Sequence, residues 1–320
     1  MESGDSFMKK LTLLQLTLAA SFILIHGDSL YAKEVVVAVI DTGVDEAHPA
    51  LKERLWENPG EMGLDSEGRD KSTNGIDDDG NGFVDDIHGW NFVSSSSNLK
   101  DNHGHGTHIA GIIAGQSPSS PSVNSDVKLM IIKYFDPNTT GRSNLFNTVQ
   151  AINYAVKMGA DIINYSGGGT DPSPSEKLAI EKAAKKGIVF IAAAGNESAN
   201  TDFVRYYPAN YQIENIISVA AVDATKKLLN FSNYGADTID LAAPGKNIYS
   251  TLPGGKFGVM SGTSQATAIV SSLAARLMAE KSQLTRHPSS VLKSILYTGS
   301  KEDTLKGKTK YRVGINMTTM

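Results

Sequence analysis

Unbroken apolar runs and helical periodicities take turns along this chain. Val35-Val36-Val37-Ala38-Val39-Ile40 is continuous and almost wholly β-branched. Such a run suits a strand buried on both faces of a parallel sheet. Comparable runs recur at Val127–Ile132, Asp161–Tyr165, Ile188–Ala194 and Ile216–Ala221. Helical patterns lie between and after them, at His105–Ala114, Leu145–Met158, Ser175–Lys186, Ser264–Lys281 and Ser289–Thr298. The alternation predicts βαβ units and an α/β fold: a three-layer, doubly wound, mostly parallel sheet with helices on both faces. Residues 52–103 break the pattern. Gly, Asp, Asn and Ser dominate there and periodicity is absent. A loop this long inside a compact domain is usually functional.

The N-terminus follows a different rule. Met8-Lys9-Lys10 precedes Leu11–Ile25, which is 15 residues without a charge. A basic stretch, an apolar stretch of this length and then polar residues read as a secretory signal. A membrane span needs about 20 apolar residues, so an uncleaved anchor is the lesser alternative. The expectation is a signal over residues 1–32, cleaved after Ala32, with Met8 as the true initiator. The mature chain 33–320 is then exported, to the exterior or a periplasm, and has no membrane span.

Composition narrows the chemistry. There is no cysteine among the 320 residues, so disulfides, thiolate metal sites and cysteine nucleophiles are excluded. The net charge of −4 gives no reason to expect nucleic acid. The charge is uneven, with residues 57–86 acidic and 281–312 mostly basic.

In open α/β sheets, ligands and catalytic groups gather at the carboxyl ends of strands. Four segments fall there or at helix starts. Asp41 follows the first strand in Asp41-Thr42-Gly43, where a carboxylate can orient an imidazole or simply close a turn. His103-Gly104-His105-Gly106-Thr107-His108 holds three of the seven histidines in the chain. His105 can serve as a general base. A zinc site is the rival, without an acidic companion at a zinc spacing. Gly195-Asn196 closes the run Ile188–Ala194, where an Asn amide can donate to a developing oxyanion or form a plain turn. Ser264, in Ser261-Gly262-Thr263-Ser264-Gln265-Ala266, opens an Ala-rich helix. The positive helix end there can stabilise an oxyanion, or the serine can be an ordinary cap. Together they give an acid, a base, an oxyanion donor and a nucleophile, in the order Asp, His, Asn, Ser.

Asp-His-Ser is the order of the subtilisin triad. Over about residues 35–317 the sequence resembles the subtilisin-like serine proteases. Val39-Ile40-Asp41-Thr42-Gly43, His105-Gly106-Thr107-His108-Ile109-Ala110-Gly111 and Gly262-Thr263-Ser264-Gln265-Ala266-Thr267 match that family's Asp, His and Ser motifs. Ala192-Ala193-Ala194-Gly195-Asn196 matches its oxyanion motif. The resemblance implies acyl transfer by Ser264, His105 and Asp41, with Asn196 holding the oxyanion and His108 a structural neighbour. It also implies that substrate adds as an extended strand between Gly141–Asn144, with Gly141 and Ser143 in contact, and Ser166-Gly167-Gly168. A polypeptide substrate and a monomeric enzyme are expected.

Several positions depart from the family. Gln265 and Ala268 stand where Met and Pro are usual, and Tyr206 stands where a small residue is common at the floor of the primary specificity pocket. A shallow pocket favouring small side chains is expected. The first strand also follows the signal directly, without room for the family's folding propeptide. The acidic segment Asp77-Asp78-Asp79-Gly80-Asn81-Gly82 fits the start of a calcium loop. Asp77, Asp79 and Asn81 are the expected ligands, completed by Asp85 or Asp86. The twelfth position is His88, so the full EF-hand pattern is not met. The leading expectation is an exported serine endopeptidase with structural calcium. The alternatives are a processing protease of narrow specificity and a non-catalytic binding protein that keeps the fold.

Overall fold

The computed structural model describes residues 34–117, 126–137, 141–280 and 287–316. The expected signal, residues 1–32, lies outside them. Strands β1 (Val35–Asp41), β3 (Val127–Lys133), β4 (Ile162–Tyr165), β5 (Val189–Ala193) and β6 (Ile216–Val222) fall where the apolar runs place them; β2 (Gly89–Asn91) and β7 (Leu241–Pro244) join them. β8 (Ile248–Leu252) and β9 (Lys256–Met260) form a separate antiparallel hairpin. β10 (Ser300–Lys301) and β11 (Val313–Gly314) are short edge strands. The nine-stranded sheet runs β10-β11-β7-β6-β5-β4-β1-β3-β2. Every neighbouring pair in it is parallel except β10 with β11.

The helices are α1 (His105–Ile113), α2 (Gly141–Lys157), α3 (Pro174–Lys185), α4 (Thr263–Glu280) and α5 (Pro288–Thr298). Successive side chains of a strand point to opposite faces. Val35, Val37 and Val39 therefore enter one core, with α1, α4 and α5. Ala38 and Ile40 enter the other, with α2 and α3. This is the doubly wound, three-layer arrangement expected from the alternation.

α4 is unusual in burial. All thirteen positions from Thr263 to Ala275 are buried. Alanine lets the helix lie close to the sheet, and its polar side chains find partners inside. Ser271 donates to the Asn164 side chain at 2.9 Å, and Ser272 to the Ile113 carbonyl at 3.1 Å.

Residues 52–103 are held by polar contacts. Trp56 and Trp90 anchor the segment in the α2 and α3 core. Asp86 accepts from Tyr154 of α2 at 2.6 Å and from Asn58 at 2.7 Å. One strand, β2, emerges from this stretch. It is too short, and too mixed in composition, for its pairing with β3 to show in the sequence pattern.

Candidate active site

β1 lies between β3 and β4, at the point where the strand order reverses and crevices open above a doubly wound sheet. Asp41 is the last residue of β1 and is buried. Its Oδ1 accepts the Thr42 N–H at 2.8 Å and lies 2.7 Å from His105 Nδ1. With Nδ1 as the donor, Nε2 is left as the basic nitrogen of the ring. α1 must approach β1 closely for this pair to form. A Cβ on Gly106 would come within 2.1 Å of the Gly43 carbonyl oxygen, so only glycine permits the contact.

Asp101, which sequence reasoning passed over, holds the start of α1. Its carboxylate accepts the backbone N–H groups of His103, Gly104 and Thr107 and the hydroxyls of Thr42 and Thr107. A carboxylate suits the positive end of a helix. Asp101 lies four residues before the first helical position and Gly104 occupies the cap, so no capping pattern marks it in the sequence. Burial of His105 opposes its charged form. The charge and hydrogen bond of Asp41, joined by the charge of Asp101, outweigh that and raise its pKa. His108 sits inside the same helix, with Nε2 3.0 Å from the Ile248 carbonyl, and burial lowers its pKa to about 4. It is a packed, neutral histidine.

Ser264 is the second residue of α4 and is buried. Its Oγ donates to the Ser166 carbonyl at 3.3 Å, so reaction with His105 requires it to leave that bond. Asn196 follows β5 and is exposed. Its Oδ1 accepts from Thr263 N at 3.0 Å and Thr263 Oγ1 at 3.2 Å. Anchored through its oxygen, the amide directs Nδ2 toward the turn before α4, 3.9 Å from where a Cβ on Gly262 would stand. Gln265 and Ala268 are both buried in α4. Gln265 Oε1 lies 2.9 Å from where a Cβ on Gly262 would stand, so its amide is folded back over the preceding turn.

The residues expected to line the cleft divide. Ser166, Gly167 and Gly168 follow β4 beside Ser264. Gly141 and Ser143 belong to the first turn of α2. The segment Gly141–Asn144 expected beside the substrate thus opens a helix, and residues 138–140 before it lie outside the described residues. Tyr206 packs against the backbones of Gly168 and Gly195. A Cβ on Gly168 would come within 2.5 Å of its ring, and one on Gly195 within 2.9 Å. Burial and the charge of Glu197 raise the Tyr206 phenol to about 12.

The acidic cluster also differs in membership. Glu61, Asp79 and Asp86 bring carboxylate oxygens within 4.8 Å of one another. Asp77 instead accepts the Asn81 and Gly82 N–H groups, and Asp85 accepts the Gly75 N–H. Asn81 turns its NH₂ toward Asp79 and Asp86, while its oxygen accepts the Phe83 N–H. Each of the expected residues Asp77, Asp79, Asn81 and Asp85 accepts a backbone N–H, and of these only Asp79 joins the carboxylate cluster with Glu61 and Asp86. Glu61 was hidden because it lies 18 residues before Asp79 in sequence. Glu61 is fully buried, and its Oε2 has no hydrogen-bond partner. Burial, aided by the charges of Asp86, Asp78 and Asp79, pushes its carboxyl up to about 7.

The subtilase family model matches residues 32–314. The chain is similar to the thermophilic serine proteinase of Bacillus sp. (strain AK1), with 34% identity over 76% of this chain and 52% of that protein. It is similar to the major intracellular serine protease of Bacillus subtilis (strain 168), with 35% identity over 75% of this chain and 66% of that one. The chain thus spans between about half and two thirds of the length of these two relatives. A subtilisin of Bacillus pumilus is 34% identical over 82% of each chain. In fold, the chain is similar to a cold-adapted subtilisin-like serine proteinase, with TM-score 0.67 and 24% identity over 89% of both chains. It is also similar to the epidermin leader peptide processing serine protease of Staphylococcus aureus. That likeness has TM-score 0.69 and 22% identity, over 90% of this chain and 74% of the other.

Proposed function

The chain belongs to the subtilase family, and from that premise we propose that it is an exported serine endopeptidase. It cleaves polypeptides through an acyl-enzyme on Ser264. The observation that carries this reading is the part-buried Asp41–His105 pair at 2.7 Å, set at the sheet's switch point with His105 on a helix that packs against α4, whose first turn holds Ser264. Ser264 attacks the peptide carbonyl as His105 Nε2 takes its proton. The imidazolium so formed is stabilised by Asp41, and the oxyanion by Asn196 Nδ2 and the Ser264 N–H. His105 returns the proton to the leaving amine. A water then repeats the sequence to release the acid. Ser166, Gly167 and Gly168 line the substrate, and Tyr206 restricts the side chain next to the cleaved bond to small residues. That restriction favours narrow over broad specificity. Residues 1–32 direct export, and the mature enzyme acts as a monomer.

Structural calcium belongs to the same proposal. The buried Glu61 oxygen without a partner fits a cation, as does the convergence of three carboxylates. Glu61, Asp79 and Asp86 would hold it. The ion would neutralise their mutual repulsion and fix residues 52–103. Among the described residues, no helix is long and apolar enough to cross a membrane.

The test is labelling with a fluorophosphonate serine probe in the presence of calcium, with the labelled peptide identified by mass. Label on Ser264 that is lost in Ser264→Ala and reduced in His105→Ala supports the reading. Folded protein that takes no label overturns it and favours a binding protein.

A further inference from the structure

A second recess adjoins the cleft segment, with a volume of about 440 Å³, enough for one long side chain. The backbones of Gly168 and Gly169 form part of its rim, and Leu145 of α2 also lines it. Tyrosine rings make its walls, Tyr134 and Tyr165 standing with centroids 5.4 Å apart. The charged side chains among the described residues that line it are Asp171 and Glu176, both acidic.

Glu176 is the buried member of that pair. It sits in the first turn of α3, three residues after the cap Ser173. Ser173-x-x-Glu176 has the spacing of a capping box, in which the Glu carboxylate would accept the cap N–H. Only half of the box is made here. Ser173 Oγ accepts the Glu176 N–H at 3.3 Å, but the Ser173 N–H goes to the Tyr211 hydroxyl at 2.7 Å. The Glu176 carboxylate is thereby freed from capping. Its hydrogen bond is to Tyr211, and an ionised carboxylate has room for further donors. Burial raises its pKa to about 7, so a cation beside it would restore the charged form. Tyrosine rings line the same space, and a ring can add a second attraction for a cation.

We infer that this recess receives a lysine or arginine side chain of the polypeptide substrate, on the acyl side of the cleaved bond, with the Glu176 carboxylate as its counter-charge. The inference rests on the endopeptidase reading above. With Tyr206 filling the space beside the cleaved bond, selection passes from that position to this recess. A cation there is held by a buried carboxylate and by rings, a setting in which a charge pair is screened far less than at the surface.

The test is cleavage of a peptide library in which Lys, Arg, Ala, Leu and Glu are varied at each acyl-side position. Ser264 labelling is measured on the same preparation. One position beyond the residue at the cleaved bond should prefer Lys and Arg over Ala by tenfold or more in kcat/KM, and reject Glu. In Glu176→Gln that ratio should fall below threefold, while Glu176→Asp should keep part of it. A labelled, active enzyme with no basic preference overturns the inference alone, as does a preference that survives Glu176→Gln. Folded enzyme without Ser264 label removes the underlying reading, and this inference with it.

Discussion

Two regions of the molecule fix side chains by opposite means. Asp41 and His105 are set by apolar packing: β1 is buried on both faces, and α1 is pressed against it through Gly43 and Gly106. Asp79 and Asp86 are set in a segment without regular structure, by amide, hydroxyl and backbone donors. The first region holds one carboxylate–imidazole pair in a part-buried place. The second gathers like charges that repel. Packing can place a carboxylate within hydrogen-bond reach of an imidazole because their attraction outweighs the burial that opposes the charged ring. Convergent carboxylates stay together only if a proton or a cation intervenes. A perturbation of the first should therefore cost rate, and one of the second should cost stability.

The largest effect expected is on rate. Asp41→Asn leaves the packing intact but removes the charge that orients and stabilises the His105 imidazolium. A fall of about 10⁴-fold in kcat is expected, with little change in melting temperature. The sign with pH follows from the same pair. Because Asp41 raises the His105 pKa, activity of the parent should rise through a pH above the ordinary histidine value. In the variant that acid limb should move to lower pH; a pH–kcat/KM profile of both proteins reads the shift. Asn196→Ala is next. It removes the proposed oxyanion donor, and a fall of about 10²–10³-fold in kcat with KM nearly constant is expected from steady-state kinetics.

Chelation tests the other region. At calcium about a hundredfold above Kd, binding contributes about 2.7 kcal/mol. Its removal should lower the melting temperature by roughly 4–5 °C for a domain of this size. Ser264 labelling at 25 °C should be unchanged. Labelling that vanishes on chelation well below the melting temperature would break the separation of the two regions.

The smallest effect concerns Glu176. Its folded pKa of about 7 exceeds the unfolded value, so its protonated form is the one folding favours. Its contribution to stability is full below about pH 4.5 and is lost as pH rises through 7. Glu176→Gln keeps the neutral form at all pH. It should match the parent near pH 4.5 and exceed its stability near pH 8 by up to about 3 kcal/mol, read from denaturant midpoints at the two pH values.

The two regions also differ in how far sequence reveals them. The strands around the switch point are legible because burial on both faces demands unbroken apolar runs. Asp41, His105, Asn196 and Ser264 are legible because each sits where such a run ends or a helix begins. The strands β2, β10 and β11 are not, since two or three residues carry no periodicity. The acidic cluster is half legible. Density of Asp between residues 77 and 86 marks the place, but density says nothing of direction. Asp77 and Asp85 are turned to backbone N–H groups, and Glu61 arrives from a distant turn. Asp101 was missed for a related reason: its role comes from the number of donors that converge on it, which only the fold assembles.

The burial of α4 has a consequence for how this protein loses its activity. The helix packs on β1, β4, β5, β6 and β7, and on α1 and α5, and it carries Ser264 in its first turn. An element so enclosed has no low-energy opening of its own, because exposing it means exposing the sheet. Heat inactivation should therefore follow the same single transition as the loss of tertiary structure. Fraying at the edge strands should precede it without effect on the nucleophile.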